Sequence, residues 1–76
     1  MQSLSNVTSF TIYKDFRDKN SEVAEVNCLI HPRMDVKQAI LNSVDETHAI
    51  NCYAEVTYRD GTKYIYDPPL TDNTIK

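Results

Sequence analysis

Apolar and polar residues alternate along two early stretches of the chain, and the period changes in the middle. In residues 9–16, "SFTIYKDF", Phe10, Ile12 and Phe16 fall on one side and Ser9, Thr11 and Tyr13 on the other. In residues 22–31, "EVAEVNCLIH", Ala24, Val26, Cys28 and Ile30 form one face. Val23, Glu25, Asn27, Leu29 and His31 form the second. A period of two sends successive side chains to opposite faces, so both stretches predict strands. "RDKNS" at 17–21 interrupts them with turn-forming residues and predicts a hairpin.

The segment "MDVKQAILNSVDETHAI", residues 34–50, follows a helical period instead. Val36, Ala39, Ile40, Val44 and Thr47 share one stripe, with Gln38, Asn42 and Asp45 opposite. Asp35 is placed to cap the N-terminus, Gln38 to complete a capping box, and Met34 to staple against Ala39. These signals predict a helix from about 35 to 48.

The last apolar pattern, "CYAEVTYRDGTKYIYD", surrounds Asp60-Gly61. Asp-Gly favours a two-residue type I′ loop, which would set Tyr58 opposite Lys63, Val56 opposite Ile65 and Glu55 opposite Tyr66. One face would then hold Cys52, Ala54, Val56, Tyr58 and Ile65. The other would hold Tyr53, Glu55, Thr57, Arg59, Tyr64 and Tyr66.

The elements in sequence are ββαββ. This predicts an α+β fold: a four-stranded, mainly antiparallel sheet with one helix on one face. A single helix covers one face, so the second is expected to be open. It would display Tyr13, Leu29, Tyr53, Tyr64 and Tyr66. "DPP" at 67–69 ends the last strand, and residues 68–76 are expected to form a C-terminal tail that either packs along the sheet or is held by a neighbour.

Seventy-six residues predict a single domain with a thin core. A hydrophobic content of 41% and a charged content of 25% fit a globular chain rather than a disordered one. No apolar run approaches the roughly 18 residues of a membrane helix, and "MQSLSNVTSF" lacks the basic and apolar regions of a signal peptide. A cytoplasmic protein with reduced cysteines is expected (the host cytoplasm, if phage-encoded).

Net charge is −3, and the excess of acid lies in the C-terminal half. Residues 35–76 carry four Lys/Arg and seven Asp/Glu, against four of each in residues 1–34. That balance disfavours direct nucleic-acid binding, which needs clustered positive charge.

Cys28 and His31, with His48 and Cys52, read on paper as a Cys₂His₂ zinc set. The predicted topology separates them: a helix of about 14 residues would carry the second pair about 20 Å from the first. No metal, cofactor or disulfide is therefore expected. No phosphate loop, zinc-protease signature or nucleophile elbow is present, and no catalytic residues are expected. "VTYRDGTKYIYDPPL", residues 56–70, resembles the hairpin of KTSC-type domains, in which a Tyr-x-Tyr strand also runs into proline. The order of the other elements does not match, so the resemblance carries no function.

The expected function is that of a small acidic, non-enzymatic protein-binding module, an inhibitor or adaptor. By analogy of size and charge it would resemble phage-encoded inhibitors of host defence, including anti-CRISPR proteins. Its partner would be another protein or a protein–nucleic-acid complex, with a homodimer as a further option and no membrane. Tyr13, Tyr53, Tyr64 and Tyr66 would anchor the contact, with Glu55 and Asp67 orienting it through charge. The alternative is a single-stranded nucleic-acid binder that stacks bases on the tyrosine face.

Overall fold

The computed structural model describes residues 3–15, 18–31, 33–44 and 49–75. Strands β1 (Val7–Tyr13), β2 (Glu22–Asn27), β3 (Tyr53–Tyr58) and β4 (Lys63–Tyr66) form one sheet, and helix α1 (Val36–Asn42) lies between β2 and β3 in the chain. The sheet order is β2-β1-β3-β4, with every neighbouring pair antiparallel. The α+β fold with a four-stranded sheet and one helix is therefore as the patterning predicts. The helix crosses over β1, returning the chain from the end of β2 to the start of β3.

Side chains on one face of the sheet make the core. Phe10 and Ile12 of β1 lie opposite Val56 and Ala54 of β3 and opposite Val26 and Ala24 of β2. Val36 and Ile40 of α1 pack on this face. Phe10, Ile12, Ile40 and Val56 are almost wholly buried. Each such side chain contributes about 1.5–3 kcal/mol relative to exposure.

Helix α1 begins where the sequence places it. The Asp35 carboxylate accepts a hydrogen bond from the Gln38 amide at 3.3 Å. The Gln38 side chain does not reach back to complete a capping box; it donates to Asn42 at 2.9 Å, one turn on. The helix ends at Asn42, and the Ser43 hydroxyl bonds the Ala39 carbonyl at 2.8 Å. Serine bonding back to the preceding turn competes with continuation of the helix. The expected extension through Asp45, Thr47 and His48 falls outside the described residues, as does Phe16.

Two expectations are corrected. First, the β3–β4 register differs by one residue. Ala54 faces Tyr66, Glu55 faces Ile65, Val56 faces Tyr64 and Thr57 faces Lys63. The Gly61 amide bonds the Tyr58 carbonyl at 2.9 Å, and the Tyr58 amide bonds the Thr62 carbonyl at 2.9 Å. Gly61 has φ +87°, and no described non-glycine residue has positive φ. A type I′ turn needs positive φ at both central positions, so Asp60 rules it out. The connection is instead a three-residue loop closed by a left-handed glycine. A shift of one residue moves every β4 side chain to the opposite face. Tyr64 and Tyr66 therefore join the core side, and Ile65 leaves it.

Second, β2 stops at Asn27. The Ile30 amide bonds the Asn27 carbonyl, and the His31 amide bonds the Cys28 carbonyl. The chain turns there, and Ile30, which the alternation places on one face with Ala24 and Val26, is 69% exposed and apart from the core.

Of the two arrangements expected for the tail, it takes the one in which it packs on its own sheet. Leu70 and Ile75 are buried in the main core, 2% and 0% exposed. The Leu70 amide bonds the Ala49 carbonyl at 2.9 Å. The Thr74 hydroxyl donates to the Pro69 carbonyl and accepts from the Thr71 amide, which closes the tail into one compact turn. Asp72 pairs with Lys37 of α1 at 3.0 Å.

Candidate functional site

Among the described residues, no helix lies over the second face of the sheet. Glu25, Thr11, Glu55 and Ile65 form a row across all four strands, and Asn27, Ser9, Thr57 and Lys63 form the next. Glu25, Asn27, Lys63 and Ile65 are exposed, and the four residues between them are half-buried. Lys63 reaches diagonally across the strands to Glu55 at 3.4 Å. The face is thus polar and acidic, with Ile65 as an exposed apolar side chain on it.

The tyrosines divide between the two faces. Tyr13 and Tyr53 stand opposite one another on the uncovered face, as expected. They are not open to a partner, however. Their rings stack with centroids 5.0 Å apart and planes 19° apart, and they are only 9% and 4% exposed. Burial pushes the Tyr53 phenol up, and the negative charges of Glu55, Asp15 and Asp18 add to the shift.

Tyr66 lies on the core side and is 4% exposed. Its hydroxyl is buried without a hydrogen-bond partner. Burial pushes the phenol up to about 12, and neighbouring Tyr58 adds to the shift. That interaction does not meet hydrogen-bond geometry, so the hydroxyl counts as unpaired. Tyr64 packs edge-on against Tyr66, centroids 4.7 Å apart, and remains 42% exposed at the sheet margin. Asp67 is exposed just beyond β4.

Of the six residues singled out from sequence, Tyr13, Tyr53 and Glu55 therefore share the uncovered face, and Tyr64 and Tyr66 belong to the other. Sequence reasoning missed Ile65 and Lys63 as surface residues of this face. Only the loop length could have revealed them, because it fixes the side on which each β4 residue points.

Among the described residues, the hollows beside the sheet gather no reactive constellation. An open depression of about 620 Å³ is bordered by Lys14, Asp15, Asp18, Ser21 and Pro68. Its polar groups are engaged locally: Asp18 accepts from the Asn20 amide, and the Ser21 hydroxyl donates to the Asp15 and Asp18 carbonyls. Cys28 lines a smaller hollow of about 140 Å³ with His31. Burial pushes this thiol up, which keeps it protonated rather than nucleophilic.

The two cysteines are free and lie beside opposite ends of β1. The Cys28 amide bonds the Thr8 carbonyl, whereas Cys52 immediately precedes Tyr53, the partner of Tyr13. Cys28 and Cys52 thus do not come together as the zinc spacing would require, and His48 lies outside the described residues. Among the described residues no three His, Cys, Asp or Glu side chains are grouped to hold a metal ion. Among them, too, no helix is long and apolar enough to cross a membrane.

No family model matches this chain, and no curated protein or solved structure is significantly similar to it.

Proposed function

We propose that this chain is a non-catalytic protein-binding module, an inhibitor or adaptor, whose contact surface is the uncovered sheet face. One observation carries the reading: α1 and the tail pack on one face of the sheet, while on the other the row Glu25, Thr11, Glu55 and Ile65 has no described helix over it and its end residues are exposed. A flat acidic face with an exposed aliphatic residue suits a partner surface bearing lysines and arginines, such as that of a nucleic-acid-handling protein or complex. Charge would steer the encounter, and Ile65 would supply apolar contact.

The contact differs in detail from a tyrosine-anchored one. The stacked Tyr13–Tyr53 pair is buried beside the row, Glu55 is half-buried and paired with Lys63, and Glu25 and Ile65 take the outer positions. The nucleic-acid alternative loses its platform, because those two rings stack on each other and have little surface left for a base. Lys63, the cation in these rows, is paired with Glu55.

The test is affinity capture from the native cell, with Ile65→Asp and Glu25→Lys beside the unaltered chain. Partners held by the unaltered chain should be lost from both variants, while stabilities from urea melts stay within about 0.5 kcal/mol of it, as for surface substitutions. If the same partners stay bound to both variants, the face is not the contact.

A further inference from the structure

Two of the three most exposed large aliphatic residues are adjacent. Leu29 and Ile30, 62% and 69% exposed, sit at the turn that follows β2. The turn is held firmly. The Asn27 side chain accepts from the Leu29 amide at 3.0 Å, its carbonyl accepts from Ile30, and the Met34 amide bonds the His31 carbonyl at 3.0 Å. Exposed aliphatic side chains on a fixed turn lose little conformational freedom when they are covered.

Arginine, and no described carboxylate, lines the hollows around them, although the chain as a whole is acidic. Ile30, His31, Arg33 and Met34 line a shallow depression of about 430 Å³. Leu29, His31, Met34 and Arg59 border the hollow beside it. Neither arginine makes an ion pair with a described residue. The nearby carboxylates are engaged: Asp35 caps α1, and Asp60 accepts from the Thr62 amide and hydroxyl. A chain of net charge −3 thus carries, at one end of its sheet, an apolar patch with an arginine rim.

We propose that this patch is a second docking site, distinct from the sheet face, and that it takes an amphipathic acidic segment of a partner protein. Apolar side chains of that segment cover Leu29, Ile30 and Met34, and its carboxylates meet Arg33 and Arg59. Arginine favours this use because its planar fork pairs carboxylates bidentately. A bare apolar patch would accept many occupants; the cationic rim selects acidic ones.

The probe is a fluorescein-labelled amphipathic peptide of leucine and glutamate, titrated with the full chain and followed by anisotropy. Saturable binding is expected. Leu29→Ser with Ile30→Ser should weaken it about tenfold or more, as loss of anchoring contacts does. Arg33→Glu with Arg59→Glu should abolish it, and high salt should weaken the unaltered complex. Ile65→Asp should leave it unchanged, which separates this site from the sheet face. All the substituted positions are exposed, so urea melts should confirm folding of each variant. Absence of saturable binding overturns the proposal, as does binding indifferent to the Leu29 and Ile30 changes. Two further results would also overturn it, by showing a different occupant. One is co-sedimentation with phosphatidylserine vesicles, but no peptide binding, through the same residues. The other is concentration-dependent dimerisation that these variants remove.

Discussion

Ala54 and Tyr66 face each other across β3 and β4, so that a tyrosine ring fills the sheet layer beside Phe10 and Ile12. The smallest side chain of β3 leaves room for the largest of β4. The ring gains burial at this position, and the hydroxyl is carried into the core without a hydrogen bond.

Removing that hydroxyl should help the fold. An unsatisfied buried polar group costs about 1–3 kcal/mol. Tyr66→Phe is expected to raise the urea midpoint, whereas Tyr66→Ala should lower stability by about 3–5 kcal/mol through lost packing. A midpoint lowered by Tyr66→Phe would mean that the hydroxyl is bonded after all.

The same residue sets an alkaline limit. Below the ordinary phenol value of 10.0, folded and unfolded chains both hold the proton. Above it the unfolded chain releases the proton, while the folded chain keeps it until about 12. Stability from this group is therefore complete below pH 10 and is lost as pH rises towards 12, at most by about 1.4 kcal/mol per pH unit. Urea melts across this range should fall less steeply for Tyr66→Phe than for the unaltered chain. Parallel slopes would show that Tyr66 titrates alike in both states.

Gly61 isolates a conformational effect from a packing one. A Cβ added there meets no atom within 4 Å, yet φ is +87°. Gly61→Val should cost about 1 kcal/mol or more through backbone strain alone, and Gly61→Asn less, because asparagine tolerates left-handed backbone. Equal costs for the two in a urea melt would contradict this origin.

The tail should behave as core. Ile75→Ala and Leu70→Ala are each expected to cost about 2–5 kcal/mol, a large share of the stability of a chain this size. Asp72→Asn, which breaks only an exposed ion pair with Lys37, should cost about 1 kcal/mol or less. Thermal melts of the three variants should separate by that pattern. Near-native stability for Ile75→Ala would mean that the tail is dispensable.

Stacking of Tyr13 on Tyr53 is open to a double-mutant cycle. With Leu at either or both positions, the coupling should be about 0.5–1.5 kcal/mol. A coupling near zero would reduce the pair to two independent buried rings.

Much of this architecture was legible from local chemistry. The alternation around Phe10 and Ile12, the Asp35 cap and the stripe through Val36 and Ile40 each report an element without outside help. The β4 register was not legible, because Lys63-Tyr64-Ile65-Tyr66 offers apolar side chains to either face. Asp-Gly fits both a two-residue and a three-residue loop, and only the loop decides between them. Ile30 extends the alternation of β2 past the point where backbone bonds turn the chain. Leu70 and Ile75 follow no period, since their burial comes from contacts made by distant segments. The candidate surface was misjudged for the same reason: an exposed or buried tyrosine in a strand looks identical until its face is known.

Leu70 and Ile75 also bear on the timing of folding during synthesis. The chain emerges from its N-terminal end, so β1 and β2 appear long before the side chains that close the core. Until residue 75 has emerged, Phe10, Ile12 and Val56 lack part of their cover and present an adhesive surface to other nascent chains. Folding should then be a single late event, and a chain stalled before residue 70 should be recognised by chaperones, not accumulate as a smaller stable domain.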